Sequence, residues 1–192
     1  SQPSAIIGGR MEMKFYHRTS LARAEKIRSC GYIYSEKLAI QKGYIAPDEI
    51  TDNSTGEIDR EFARDNYVFL SHNNQNYGEA VFCFSEKILS LPDCYVATAG
   101  DFLHFCDTPE NLSYFKNSII PGNQFIKYVD KFFKTLPNPD WFFGEKVGLK
   151  DFLSTAIKEK INGNDLGWKL YMKLFPEIII KDKLLIGHYI CP

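Results

Sequence analysis

The stretch KFYHRTSLARAEKIRSCG, residues 14–31, decides how the chain is read. Its opening aromatics and histidine suit a short strand over residues 14–17. Ser20 then stands where a helix N-cap is wanted, Leu21, Ala24 and Ile27 recur at helical spacing, and Gly31 supplies a stop. This reading puts His17 at a strand-to-helix turn, where chains commonly present side chains to ligands.

Working outward, residues 35–66 are largely polar, and DEITDNSTGEIDRE has no sustained apolar face. They read as a surface excursion with a helical turn or two, able to serve as a lid. YVFLS (67–71), AVFCF (80–84) and CYVAT (94–98) are β-type runs, the first two separated by the Asn- and Gly-rich HNNQNYGE. From Gly122 the pattern becomes helical through Phe125, Val129, Phe132 and Phe133. LPNPDW interrupts it, and residues 149–160 resume it with Phe152, Leu153 and Ile157 on one side. EIII (177–180) and LLIGHYI (184–190) return to strands, with KDK as the turn between them. The expected class is α+β: a mixed sheet with strands from both chain ends and a helical, aromatic-rich middle. Residues 1–12 read as a leader or disordered segment with Met11 or Met13 as a natural start, and residues 13–192 as one domain.

Composition narrows the function. The 192 residues are 44% hydrophobic and 15% aromatic, ample for one cored domain. Lys plus Arg number 23 against 24 Asp plus Glu, so no global field recruits nucleic acid or an anionic membrane. Cys30, Cys83, Cys94, Cys106 and Cys191 form no Cys-x-x-Cys pair, which speaks against a disulfide framework or structural zinc and for a reducing compartment such as the cytosol. His72, His104 and His188 lack spacing that converges on a metal, so no metal is expected. Signal-peptide and membrane-span patterns are missing, as are the glycine motifs of P-loops, Rossmann folds and serine hydrolases. Trp141 and Trp168 read as core or interface anchors, and WFFGEKVG (141–148) as core or an acceptor-facing loop.

Three features remain: His17 and Thr19 after the first strand, Phe69 and Ser71 closing YVFLS, and Glu177 opening the β-branched run III. An acid in that last position is costly if buried without a partner. In this order they resemble the His-Tyr-Glu branch of the ADP-ribosyltransferase superfamily, which includes poly(ADP-ribose) polymerases and rifamycin ADP-ribosyltransferases. FYHRT is similar to the aromatic-aromatic-His-Gly-Thr signature, with Arg18 in place of glycine. YVFLSHNNQNYGEAV is similar to the second motif, an aromatic strand ending in serine with a GEA-type helix start beyond it, and here Phe69 replaces the usual tyrosine. FPEIII resembles the glutamate strand of the DNA-modifying toxins of the superfamily.

The resemblance implies an ADP-ribosyltransferase-like fold and NAD as co-substrate. Glu177 would be the catalytic carboxylate, stabilising positive charge on the ribose as nicotinamide leaves. Phe69 would stack on the cationic ring, with Tyr77 as the rival for that role. His17 would hold an adenosine ribose hydroxyl, and the turn of Arg18 and Thr19, with Ser71, would grip the carboxamide. The expected activity is mono-ADP-ribosyl transfer to a macromolecule, with protein favoured over nucleic acid by the near-neutral charge. The alternatives are a toxin acting on DNA or RNA, or a catalytically inactive interaction module. An effector of this kind would work in the cytosol of its own or a host cell, with no membrane partner.

Overall fold

The computed structural model describes residues 6–7, 9–46, 60–71, 78–98, 108–109, 112–113, 116, 119–132 and 176–188. Among them the protein is mixed α+β, as expected. Residues 149–160, Trp141, Trp168 and the loop 141–148 lie outside the described residues.

Within the segment expected to be a leader, Ile6–Ile7 (β1) pairs with Arg10–Met11 (β2). The next strand, Lys14–Thr19 (β3), runs two residues past the expected end and pairs antiparallel with Ala80–Ser85 (β6), His17 opposite Phe82. His17 therefore sits inside a strand and not at its turn. The physical reason is partner supply: β6 offers a register mate to every residue from Lys14 through Thr19, so the strand continues until Ser20 takes over.

Ser20 caps helix α1, Leu21–Cys30, its Oγ accepting from Arg23 N–H at 3.2 Å. Gly31 ends the helix in the left-handed conformation, φ 78°, and its N–H returns to Ile27 O at 2.8 Å. Beyond it Tyr32–Tyr34 forms a short strand, β4, which local pattern did not reveal. Ser35 then caps helix α2, Glu36–Gln41.

Tyr67–Leu70 (β5), Cys94–Thr98 (β7), Ile120–Pro121 (β8) and Pro176–Lys181 (β9) form a four-stranded sheet in the order β5-β9-β7-β8. The late strand β9 thus lies between two earlier ones, but the expected mixed sheet fed from both chain ends is not formed among the described residues: the pairings are antiparallel, and β3 pairs with β6 in a separate sheet, because β6 matches it along its whole length while β9 is taken up by β5 and β7. Lys183–Leu185 (β10) turns away at Asp182, φ 65°, to pair with β4. The expected strand over residues 184–190 is shorter than that: a 3-10 turn, Ile186–His188, ends it, and Ile186 N–H bonds to Gly31 O at 3.0 Å. At GEA the helix start implied by the resemblance is not formed, whereas the β-type run expected over residues 80–84 is. Ala80 opens strand β6, so no helix starts there, and Gly78 (φ 106°) lets the chain pass Thr19, whose carbonyl oxygen would stand 3.0 Å from a Cβ at that position.

Alternation sorts β9 into two faces. Ile178 and Ile180 join Val68, Leu70, Cys94 and Val96 in the dry core, where Phe125 and Val129 of helix α3, Gly122–Phe132, also lie. Each such buried aliphatic contributes roughly 1.5–3 kcal/mol. Gly122 is required at the start of α3, because a Cβ would meet Leu89 O at 2.3 Å. Glu177 and Ile179 face the other way, with Phe69 across from Ile179 and Ala97 across from Glu177.

Candidate functional site

A cavity of about 310 Å³ opens where two strands part. β3 and β5 meet at one backbone bridge, Tyr16 to Ser71, with reciprocal hydrogen bonds of 2.7 and 2.8 Å. One residue further along, a side chain replaces the ladder: His17 Nδ1 lies 3.0 Å from Phe69 O. A carbonyl only accepts, so Nδ1 carries the proton, and the neutral ring keeps Nε2 as an acceptor. Crowding around the imidazole lowers the His17 pKa, the bond to Phe69 works against this, and the charge of Arg23 lowers it further. His17 keeps some solvent contact as a residue, but its ring is in the least favourable place for a charge.

His17 and Thr19, on the same face of β3, line the cavity together with Phe69 and Tyr67 of β5. α1 closes it with Arg23, Lys26, Ile27 and Cys30, spaced as one helical stripe. Tyr32, Tyr34 and Tyr44 form the remaining wall, Tyr34 stacked on Tyr32 at 5.7 Å and on Tyr44 at 5.4 Å between ring centroids. Burial pushes the Tyr34 hydroxyl pKa up, with the neighbouring Cys30, Tyr44 and Tyr32 adding to it.

Glu177 does not line this cavity; it belongs to the adjoining sheet face. Its Oε1 accepts a hydrogen bond from Arg64 Nη2 at 2.5 Å, between side chains 26% and 7% exposed. The Arg64 guanidinium in turn stands 5.1 Å from the centre of the Phe69 ring. Arg64 is thus the physical link between Phe69 and Glu177. It enters on a 3-10 turn, Arg64–Asn66, directly after Ala63, a non-glycine residue at φ 57°. Such a conformation is uncommon and persists where the surroundings enforce it. The segment expected to be a surface excursion therefore ends by delivering a buried cation.

Of the expected site residues, His17, Thr19 and Phe69 come together in one cavity, and Glu177 joins them through Arg64. Ser71 does not line the cavity; its hydroxyl donates to Tyr16 O at 3.4 Å and its backbone forms the bridge. Arg18, one residue out of phase on β3, is not part of the wall either. Tyr77 lies outside the described residues. Sequence reasoning missed Arg64 and the tyrosine wall. Tyr-x-Tyr after Gly31 is a period-2 signal that could have marked a strand face, whereas an arginine inside FARDN carries no pattern at all.

Among the described residues no helix is long and apolar enough to cross a membrane, and Cys30, Cys83 and Cys94 form no disulfide. Burial raises the Cys94 pKa to about 12, which leaves that thiol unreactive. No protein-family model, curated protein or solved structure matches the chain.

Proposed function

We propose that the protein is an NAD-dependent mono-ADP-ribosyltransferase with an ADP-ribosyltransferase-like fold. The observation that carries this reading is the convergence of His17, Thr19 and Phe69 on one cavity, with the Glu177 carboxylate coupled to Phe69 through Arg64. His17 and Phe69, 52 positions apart in sequence, meet where two strands part, and Glu177 stands on the adjoining sheet face, hydrogen-bonded to Arg64.

The residues suit the substrate chemically. Neutral His17 offers an acceptor nitrogen to a ribose hydroxyl, and Thr19 beside it offers a hydroxyl. Phe69 supplies an aromatic face for a pyridinium ring, a contact worth roughly 0.5–2 kcal/mol. Glu177 supplies the negative charge that a developing oxocarbenium ion requires. In the reaction the bond from ribose C1′ to the nicotinamide nitrogen breaks, and nicotinamide leaves neutral with the electron pair. A nucleophile of the acceptor then bonds to C1′ and loses its proton. Arg64 orients the carboxylate through their hydrogen bond.

The Arg64 contact also favours a second reading. With Glu177 hydrogen-bonded to Arg64 and that guanidinium over Phe69, the same residues suit a catalytically silent interaction module. Incubation with NAD separates the two. The transferase releases free nicotinamide, and Glu177→Gln lowers that turnover by about two orders of magnitude while leaving NAD affinity nearly unchanged. Nicotinamide release at equal rates from both proteins would remove Glu177 from the chemistry, and no release from either would favour the silent module.

A further inference from the structure

The part of the cavity with no assigned role is its tyrosine wall. Tyr32 and Tyr34 alternate on β4, and Tyr44 follows α2; their rings stand nearly parallel, 25° and 18° apart, as a stacked ladder. Cations gather on it. Lys42 Nζ lies 5.2 Å from the Tyr34 ring centre and Lys183 Nζ 5.1 Å from that of Tyr32. Lys26 Nζ donates to Tyr44 O at 2.8 Å, which sets that ammonium at the end of the ladder and inside the same cavity as Arg23.

We infer that this wall is a nucleotide subsite, taking a nucleobase against the tyrosine rings and a phosphate on Lys26 and Arg23. Parallel aromatic faces beside positive side chains are the combination that binds bases by stacking and phosphates by charge, without reading sequence. A packing role alone does not explain it, because on β4 it is Ile33 that enters the hydrophobic core, while Tyr32 and Tyr34 on either side of it stay only half-buried. Two acids, Glu36 and Asp65, also line the cavity, and Glu36 is engaged by Arg60 at 3.4 Å. The cavity volume sits at the lower end of the range for small-ligand sites, about 300–1,000 Å³.

One ligand chemistry has two sources here: the adenosine diphosphate half of a dinucleotide, or a base and phosphate of a nucleic acid acceptor. The inference rests on the transferase reading only for the name of the dinucleotide. Calorimetric titration of the full chain with ADP, and separately with a short oligodeoxyadenylate, tests it. ADP binds, Tyr44→Ala weakens it by about tenfold, and Tyr44→Phe retains it, since stacking needs no hydroxyl and the Lys26 contact is to the Tyr44 backbone. Lys26→Gln, a change at an exposed position, weakens ADP several-fold and flattens its salt dependence. Tighter binding of ADP than of the oligonucleotide assigns the wall to the dinucleotide; the reverse, with loss in Tyr44→Ala, assigns it to the acceptor. Both support the subsite. Wild-type protein that binds neither ligand, or a folded Tyr44→Ala and Lys26→Gln that bind both as wild type does, overturns it. ADP binding lost in Tyr44→Ala, in a protein that releases no nicotinamide from NAD, would keep the subsite and discard the transferase.

Discussion

Glu177 and Ile178 are neighbours on one strand and occupy different media. Ile178 is fully buried among aliphatic and aromatic side chains, while Glu177 keeps a quarter of its side-chain surface and is bonded to an arginine. The pleat alone separates them. The comparison teaches that β9 has two jobs: its even-numbered isoleucines anchor the sheet, and Glu177 is held still by that anchorage. In the proposed transferase, a carboxylate that meets a developing charge would gain from such rigidity, because no reorganisation is then needed during reaction.

The sharpest way to break the comparison is to damage the anchoring face alone. Ile178→Ala should lower stability by about 2–5 kcal/mol, the scale of a large-to-small change in a tight core. Urea unfolding measures the loss, and the surviving folded molecules should retain their activity. Loss of activity beyond the loss of folded protein would show that the two faces are not independent.

A smaller effect is expected on the polar face. Arg64→Gln removes the guanidinium from Glu177, and Glu177→Gln removes the carboxylate charge from a more deeply buried cation. Each single change should cost about 1–3 kcal/mol, and the double variant less than the sum of the two, giving a coupling energy of about 1 kcal/mol or more. A coupling near zero would mean that Arg64 is held by its other contacts and that Glu177 is positioned by its strand alone.

The smallest effect belongs to pH. The folded-state pKa of His17 lies below its ordinary 6.5, so near that value the unfolded chain takes up a proton that the folded ring resists. Stability should therefore fall as pH drops from about 6.5 toward the folded-state pKa and level off below it. Urea midpoints between pH 7.5 and 5.5 should decline more for wild type than for His17→Gln. Equal declines would place the His17 ring in water and loosen the link between β3 and β5.

Much of the frame was legible because local chemistry decided it. Ser20 caps and Gly31 stops α1 wherever the helix packs, and the runs at residues 67–71, 80–84 and 94–98 had nowhere to hide their apolar residues except in a sheet. His17, Thr19, Phe69 and Glu177 were singled out by their order along the chain, which resembles a family pattern; local chemistry alone marked only Glu177, an acid opening a β-branched run. Misreadings arose where a distant partner ruled. β3 runs on because β6 matches it residue for residue. Tyr32–Tyr34 is a strand because β10, some 150 residues later, lies alongside.

By itself, then, the amino-acid sequence determined the α+β class, the helix limits of α1 and which residue types could carry chemistry, since spacing, capping and turn preference act over a few residues. Tertiary structure alone decided that β9 inserts between β5 and β7, that β3 and β5 part beyond a single bridge, that Arg64 joins Phe69 to Glu177, and that Tyr32, Tyr34 and Tyr44 line the same cavity as His17. Register and burial are properties of pairs of segments, and no segment carries its partner's position in its own residues.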